Sequence, residues 1–422
     1  DAVAQLDLSA FAEGLVVREG GPGRAAADPA LLAALWRYAT SQGVTSGRVL
    51  DRLCTEHLAY LWLCGGVTMH YHTLNAFRVA HGPALDALLT DLLGRLQHAG
   101  LVTLDHVAQD GLRVRASAGA GSFRRQPTLE QSLEEARAVL RCAQLAVRAQ
   151  GAPDDGEAGG PDHRDDARDD ARDDARDGGG RGGPPSAQQR AARQRAARER
   201  VARLEAALAA MPAARAAKRT AAQQDEARVS STDAEARVMK LADGGFRPAD
   251  NVELAADAAH GVVVGVDAIT SGGDAGQAAP MLAQVQRRTG ERPAVWSMDG
   301  GFADLPSIQA VAAAGVTVLA PVRPARNAAN DPDAPRPTDP PGVAAWRARM
   351  ATDAAKQAYQ RRAAVIECVN AQARCRHGLT QVRLRGLAKV RCLALWVALT
   401  HNLLVALRCA LDLARGPHAL AA

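Results

Sequence analysis

Aromatic side chains are scarce in this 422-residue chain: five Phe, four Tyr and five Trp, 3% of the total. Proteins that stack bases on aromatic platforms need more, so base-stacking modules do not dominate here. Charge of one sign is also in short supply. Lys and Arg number 51 against 46 Asp and Glu, a formal net charge of +5. Such a mild excess permits a nucleic-acid partner without requiring one. The seven cysteines are odd in number and irregularly spaced, which gives no disulfide framework and fits a reducing cytosol. No long apolar run is free of polar groups. The most apolar window, Cys392–Leu411, holds His401, Asn402 and Arg408, so it reads as a buried core helix rather than a membrane span. No secretory leader opens the sequence, and a cytoplasmic location is expected.

What is present centres on the stretch Val107–Ala118. Leu112, Val114 and Ala116 alternate with Arg113, Arg115 and Ser117, the period of a half-buried strand. Asp110 sits in it, and an acid there is costly to bury without a cation, a metal or hydrogen-bond donors. The run AVWSMDGGF, Ala294–Phe302, is an apolar strand that ends in Asp299 and breaks at Gly300-Gly301. Glu367 lies in a helical stretch with Arg374 seven residues on, about two turns, so both face one way. Two strand-borne aspartates and a helix-borne glutamate point to a divalent-metal site for phosphoryl transfer. Asp243 rivals Asp110 because it also precedes Gly-Gly-Phe, but it lies in a glycine-rich loop and Asp110 is preferred. Asp274, in SGGDAGQ, reads as a helix N-cap.

The chain divides into four stretches. Residues 1–102 read as a helical N-terminal domain. Leu31, Leu32, Leu35 and Trp36 make one apolar stripe, closed by Gly43; Ser46 then caps a helix whose apolar positions are Val49, Leu53, Leu58 and Leu61. Gly65-Gly66 forces a turn into a short helix, His70–Ala80, carrying His70, His72, Asn75 and Arg78. Helix, glycine turn and polar helix resemble a helix-turn-helix with Asn75 or Arg78 toward duplex DNA; the plain alternative is a helical bundle. Cys54, His57, Cys64, His70 and His72 match no common zinc spacing, and buried thiols are the simpler reading. Residues 103–125 hold the first strand. Residues 126–230 read as a helical insertion with a Gly/Asp/Arg/Pro linker, 151–185, whose DDAR repeats cannot build a core and are expected to be disordered. Ser186 and Gln189 form a capping box for a basic helix, and its Arg193 and Arg200 are candidate phosphate contacts. Val201, Leu204, Leu208 and Met211 form its apolar seam, and Pro212 is expected to stop or kink it. Residues 231–422 alternate a hairpin (Val252–Asp257, Gly261–Asp267), helix, strand, helix, strand and long helices, an α/β order.

These blocks together resemble the DDE transposases of bacterial insertion sequences, which share the RNase H-like fold with retroviral integrases. The blocks are VAQDGLRVRASAGAGSFRR, DNVELAAD with VVVGVDAITSGGDAGQAAPM, VWSMDGGF and WRARMATDAAKQAYQRRAAVIECVNAQARCRHGL. The resemblance implies a mixed sheet flanked by helices, with Asp110, Asp299 and Glu367 as catalytic, metal-holding acids. It implies two Mg²⁺ ions, replaceable by Mn²⁺, and places Tyr359, Arg362 and Arg374 at the DNA. The implied partners are double-stranded DNA, as transposon ends and target, and further copies of the chain as a dimer or larger assembly. The implied activity is binding of terminal inverted repeats, then strand cleavage and transfer. The alternative is a remnant that only binds DNA. Members of the family read Tyr-Asn-Val-Gln where this chain has Asp250-Asn251-Val252-Glu253, which adds negative charge near the sheet and is expected to raise neighbouring pKa values.

Overall fold

The computed structural model describes residues 8–12, 27–148, 186–324 and 331–415. The expected disordered linker, 151–185, lies outside the described residues. The chain folds as mixed α/β and divides into two compact units. The first comprises Asp1–Val114, Asn251–Thr380 and Ala388–Ala422; the second comprises Arg115–Asp250 and Gln381–Leu387.

In the first unit, a short helical turn, α1 (Ser9–Ala12), precedes α2 (Pro29–Ser41), α3 (Gly47–Glu56), α4 (Leu58–Cys64), α5 (Tyr71–Ala80) and α6 (Gly82–His98). Asp28 caps α2 by accepting from the Ala30 amide, and Ser46 caps α3 by accepting from the Val49 amide. The buried stripe of α3 is Gly47, Leu50 and Cys54, whereas Val49 is exposed. The expected Val49–Leu61 stripe is thus corrected. His57 ends α3 and its ring caps α4, so Leu58 begins a new helix and is 83% exposed.

The sheet of this unit is built from β1 (His106–Arg115), β5 (Phe246–Asp257), β6 (Val263–Ile269), β7 (Val295–Ser297) and β8 (Thr317–Leu319). Across it the order is β6-β5-β1-β7-β8. β5 and β6 form an antiparallel hairpin. The Ala258 amide donates to the His106 carbonyl while Gln109 bonds Glu253, so β1 and β5 also run antiparallel. β1, β7 and β8 are parallel to one another. Their connections run through α10 (Ala278–Thr289) and α11 (Leu305–Ala313). α12 (Pro341–Met350), α13 (Asp353–Cys375) and α14 (Leu387–Arg415) follow. The break between α12 and α13 is set by Thr352, whose hydroxyl accepts from the Ala355 amide.

Leu387–Leu411 is long and apolar enough to cross a membrane, yet most of it is buried inside the protein. Its polar groups have work there. Asn402 exchanges two 2.8 Å hydrogen bonds with the Val263 backbone, satisfying the start of edge strand β6, and His401 bonds the Gly261 carbonyl.

In the second unit, α7 (Gln126–Arg148) and α8 (Ala187–Ala216) pack as a hairpin. Leu129, Leu133 and Ala136 meet Val201, Leu204, Ala207 and Met211 in one apolar cluster. Ser186 and Gln189 form the expected capping box. Pro212 does not stop the helix, which continues to Ala216. A helical turn, α9 (Ala221–Asp225), follows. Strands β2 (Phe123–Arg124) and β3 (Val229–Ser230) pair antiparallel, as β4 (Arg237–Lys240) does with residues 246–249.

Candidate active site

The register of two neighbouring strands builds the site. His106, Val107 and Ala108 of β1 pair with Val295, Trp296 and Ser297 of β7. Two residues on from the last pair lie Asp110, within β1, and Asp299, two residues past the end of β7. Strand side chains alternate faces with period two, so equal steps from a common pair return both acids to one face. Asp299 also caps its own turn, its Oδ1 accepting from the amides of Gly301 at 2.7 Å and Phe302 at 3.3 Å. Asp243, the rival for the first acid, is exposed in the second unit and pairs with Arg247.

Two more acids join Asp110 and Asp299. Glu253, on β5, is buried, and Asp274 follows β6. The Asn251 side-chain amide ties them together, its Nδ2 donating to Glu253 Oε1 and to Asp274 Oδ1, both at 2.8 Å. The expectation that Asp274 caps a helix is corrected: α10 begins at Ala278, with Gln277 at the cap position and no side-chain cap bond. Asp274 faces the cluster instead and is paired with Arg113 at 3.4 Å.

Glycines leave room among these oxygens. A Cβ at Gly111 would lie 2.8 Å from Asp274 Oδ1, 2.9 Å from Asn251 Oδ1 and 3.1 Å from Glu253 Oε1. A Cβ at Gly301 would lie 2.9 Å from both Asp274 Oδ2 and Asp299 Oδ1. Asp274 therefore lends one oxygen to each of two small hollows. Asn251 is fully buried and its Oδ1 has no hydrogen-bond partner. An orphaned carbonyl oxygen beside carboxylates, above a glycine floor, fits a hard divalent cation, which takes oxygen ligands. Among the described residues no group of three or more His, Cys, Asp or Glu is arranged to hold a metal ion.

The electrostatics follow from this crowding. Burial, then the Asp274 charge, pushes Glu253 up to about 8. Burial also raises Asp110, and Asp299 and Asp274 add to the rise while Arg362 opposes it. Asp274 is raised by burial and Asp299 against the Asn251 hydrogen bond and Arg113. The group most raised in the cluster is thus Glu253 itself, while its neighbours Asp110 and Asp274 are raised by burial and by other charges, Asp299's for both and Asp274's for Asp110. In the second unit Asp250 is likewise pushed up to about 7, by burial and the charges of Asp233 and Glu235.

α13 covers one flank of the cluster. Arg362 is buried and ion-pairs with Asp110 Oδ1 at 3.1 Å, while donating to the Gln109 carbonyl at 3.3 Å. Its expected place at a DNA phosphate is corrected accordingly: the guanidinium is committed to the first acid and its strand. Tyr359 is half-buried, and its hydroxyl bonds Arg362. Asn370 donates to Asp110 Oδ2 at 3.0 Å. Glu367 is exposed on the flank of the helix, and Arg374 is half-buried.

The N-terminal candidates go elsewhere. Asn75 and Arg78 are buried, 3% and 1% exposed, so neither presents its side chain to DNA. Arg78 lies over the Trp36 ring at 4.4 Å and donates to the Thr45 carbonyl. A Cβ at Gly47 would meet the Asn75 side chain at 2.2 Å, so α3 approaches α5 there because Gly47 has no side chain. Both polar residues on α5 serve the helical core, a role helix periodicity alone does not distinguish from a solvent-facing one. Cys54 and Cys64 are buried thiols that hydrogen-bond each other, and the rings of His57 and His70 cap helices.

Residues 342–406 match a family model described as a transposase DDE domain. That stretch is similar to a transposase DDE domain. The matched stretch takes in most of α12, all of α13 and most of α14, and so Tyr359, Arg362, Glu367, Asn370 and Arg374. No curated protein and no solved structure matched the chain. Sequence reading missed Glu253 and Asp274 as members of the cluster. Glu253 alternates with Asn251 on β5, and that spacing was the available signal.

Proposed function

We propose that this chain is a DNA transposase that binds the terminal inverted repeats of a mobile element and performs metal-dependent strand cleavage and transfer. The observation that carries the reading is the nearness of Asp110 to Asp299, each two residues beyond the paired Ala108 and Ser297, beside the helix in the stretch similar to a transposase DDE domain that contacts Asp110. The mixed sheet, with an antiparallel run continued by parallel strands and flanked by helices, supports an RNase H-like core.

Each side chain then has a task. Asp110 and Asp299 would hold the divalent cations, Mg²⁺ or Mn²⁺ as substitute, with Glu367 supplying the third acid. Bound there, the ions would activate water or a 3′-hydroxyl and stabilise the leaving oxygen. Arg362 orients Asp110 and opposes the rise that burial and the charges of Asp299 and Asp274 impose on it. Tyr359 and Arg374 lie on the same helix and would face the DNA backbone. A mobile element has two ends, so a complex of at least two copies on DNA belongs to this reading.

The test is supercoiled plasmid carrying the element's terminal repeats, incubated with Mg²⁺. The parent nicks at the ends. Asp299→Asn and Glu367→Gln each lose nicking by orders of magnitude while retaining a shifted DNA band, because a neutral amide holds a divalent ion poorly. Parent-level nicking by Glu367→Gln would show that the third acid is another residue. Binding without nicking by the parent would favour the DNA-binding remnant.

A further inference from the structure

Three donors hold the Asp110 carboxylate. Its own neighbour's amide, Gly111, donates to Oδ1 at 3.0 Å, and Arg362 pairs with the same oxygen. Oδ2 is held by the Asn370 amide alone among the hydrogen bonds described. Arg362, Ile366 and Asn370 are spaced by four residues, so they form one stripe along α13. Ile366, fully buried, fixes the stripe against the core, and the two polar groups on either side of it grip the two carboxylate oxygens.

We infer that Asn370 is a positioning residue for cation binding, acting through Asp110. This rests on the metal-dependent reading above. A carboxylate has about four lone-pair sites; Gly111 and Arg362 take those of Oδ1 and Asn370 takes one of Oδ2, which leaves a lone pair on Oδ2 for a cation. Held at Oδ1 only, the carboxylate is freer to turn about its last bond; held at both oxygens, that open lone pair has a fixed direction. Asn370 is 9% exposed and its own Oδ1 has no partner, so the group is committed through its NH₂. Groups that orient a metal ligand in this way are typically worth roughly 10–100-fold in metal affinity.

The experiment is equilibrium Mn²⁺ binding to the full chain, read from the electron paramagnetic resonance of the free ion, without DNA or turnover. Asn370→Leu keeps the volume and loses the donor. Its dissociation constant for Mn²⁺ should rise by roughly 10–100-fold. In an Asp110→Asn background the same substitution should change nothing further, because the ligand it positions has already been removed. If Asn370→Leu lowers the melting temperature, Asn370→Ser repeats the measurement, since its hydroxyl stops short of Asp110. Parent-like affinity in these variants overturns the inference. So does an equal loss in both backgrounds, which would mean that Asn370 acts on the fold and not through Asp110. A parent that takes up no Mn²⁺ would sink the metal-dependent reading itself and the role of Asn370 with it.

Discussion

Glu253 shows at the scale of one residue what the cluster costs. Its carboxyl sits near 8, raised from 4.5 by burial and by Asp274. Between those two values the folded chain holds a proton that the unfolded chain has released. Folding stability therefore falls as pH rises from about 4.5 to about 8 and levels off above. Glu253→Gln removes that loss. The variant should melt at the parent's temperature near pH 4 and clearly above it at pH 8.5, followed by circular dichroism in the absence of divalent ions. Added Mg²⁺ should narrow the gap at pH 8.5 by stabilising the parent more than the variant. A constant gap across the pH range would mean that the gain comes from packing rather than from the buried charge.

At the scale of elements, α8 carries Pro212 inside a helix that runs through it to Ala216. Proline has no amide hydrogen and its ring crowds the preceding turn, and an interior proline costs a helix roughly 3 kcal/mol. Pro212 is exposed while Met211 and Ala214 are buried, so replacing it disturbs no core contact. Pro212→Ala should raise stability by about 1–3 kcal/mol in urea unfolding. An unchanged midpoint would show that the helix has already relaxed around the ring. Sequence reading expected a stop or a kink here; the stop does not occur, because the apolar cluster that Met211 joins, invisible to local chemistry, holds the helix on both sides of the ring. The same limit explains the other misses. Periodicity located β1, β6, β7 and most helices to within a few residues, because each carries its own pattern, whereas β5 begins six residues ahead of the expected Val252 (252−246). It could not see that Arg78 meets Trp36, 42 residues away (78−36), or that Asp274 meets Asn251, because those pairings depend on the folded chain. The short strands β2 and β3, two residues each, have too few positions to show any pattern.

At the scale of the whole molecule, a net charge of only +5 makes the placement of basic groups matter more than their number. Arg193 and Arg200 are exposed on α8, on the same stripe as buried Ala197 and Leu204, and line a hollow with Val139, Cys142 and Ala143 of α7. If they meet phosphates in the DNA complex, replacing both with Ala should flatten the plot of log affinity against log salt by roughly 0.9 per lost contact. Binding measured from 50 to 300 mM salt with a parent-like slope would confine α8 to a structural part. The register of β1 against β7 has a consequence for how such a chain can change over time. Asp110 and Asp299 are 189 residues apart (299−110), yet their meeting depends on only a few paired positions. One residue gained within β1 ahead of Asp110 would turn that acid to the other face of the sheet. Dozens gained between the strands would leave the pair where it is. Insertions and deletions are therefore tolerated in the connections and lethal in the ladder, so lineages can differ widely in length while the spacing of the chemistry stays fixed.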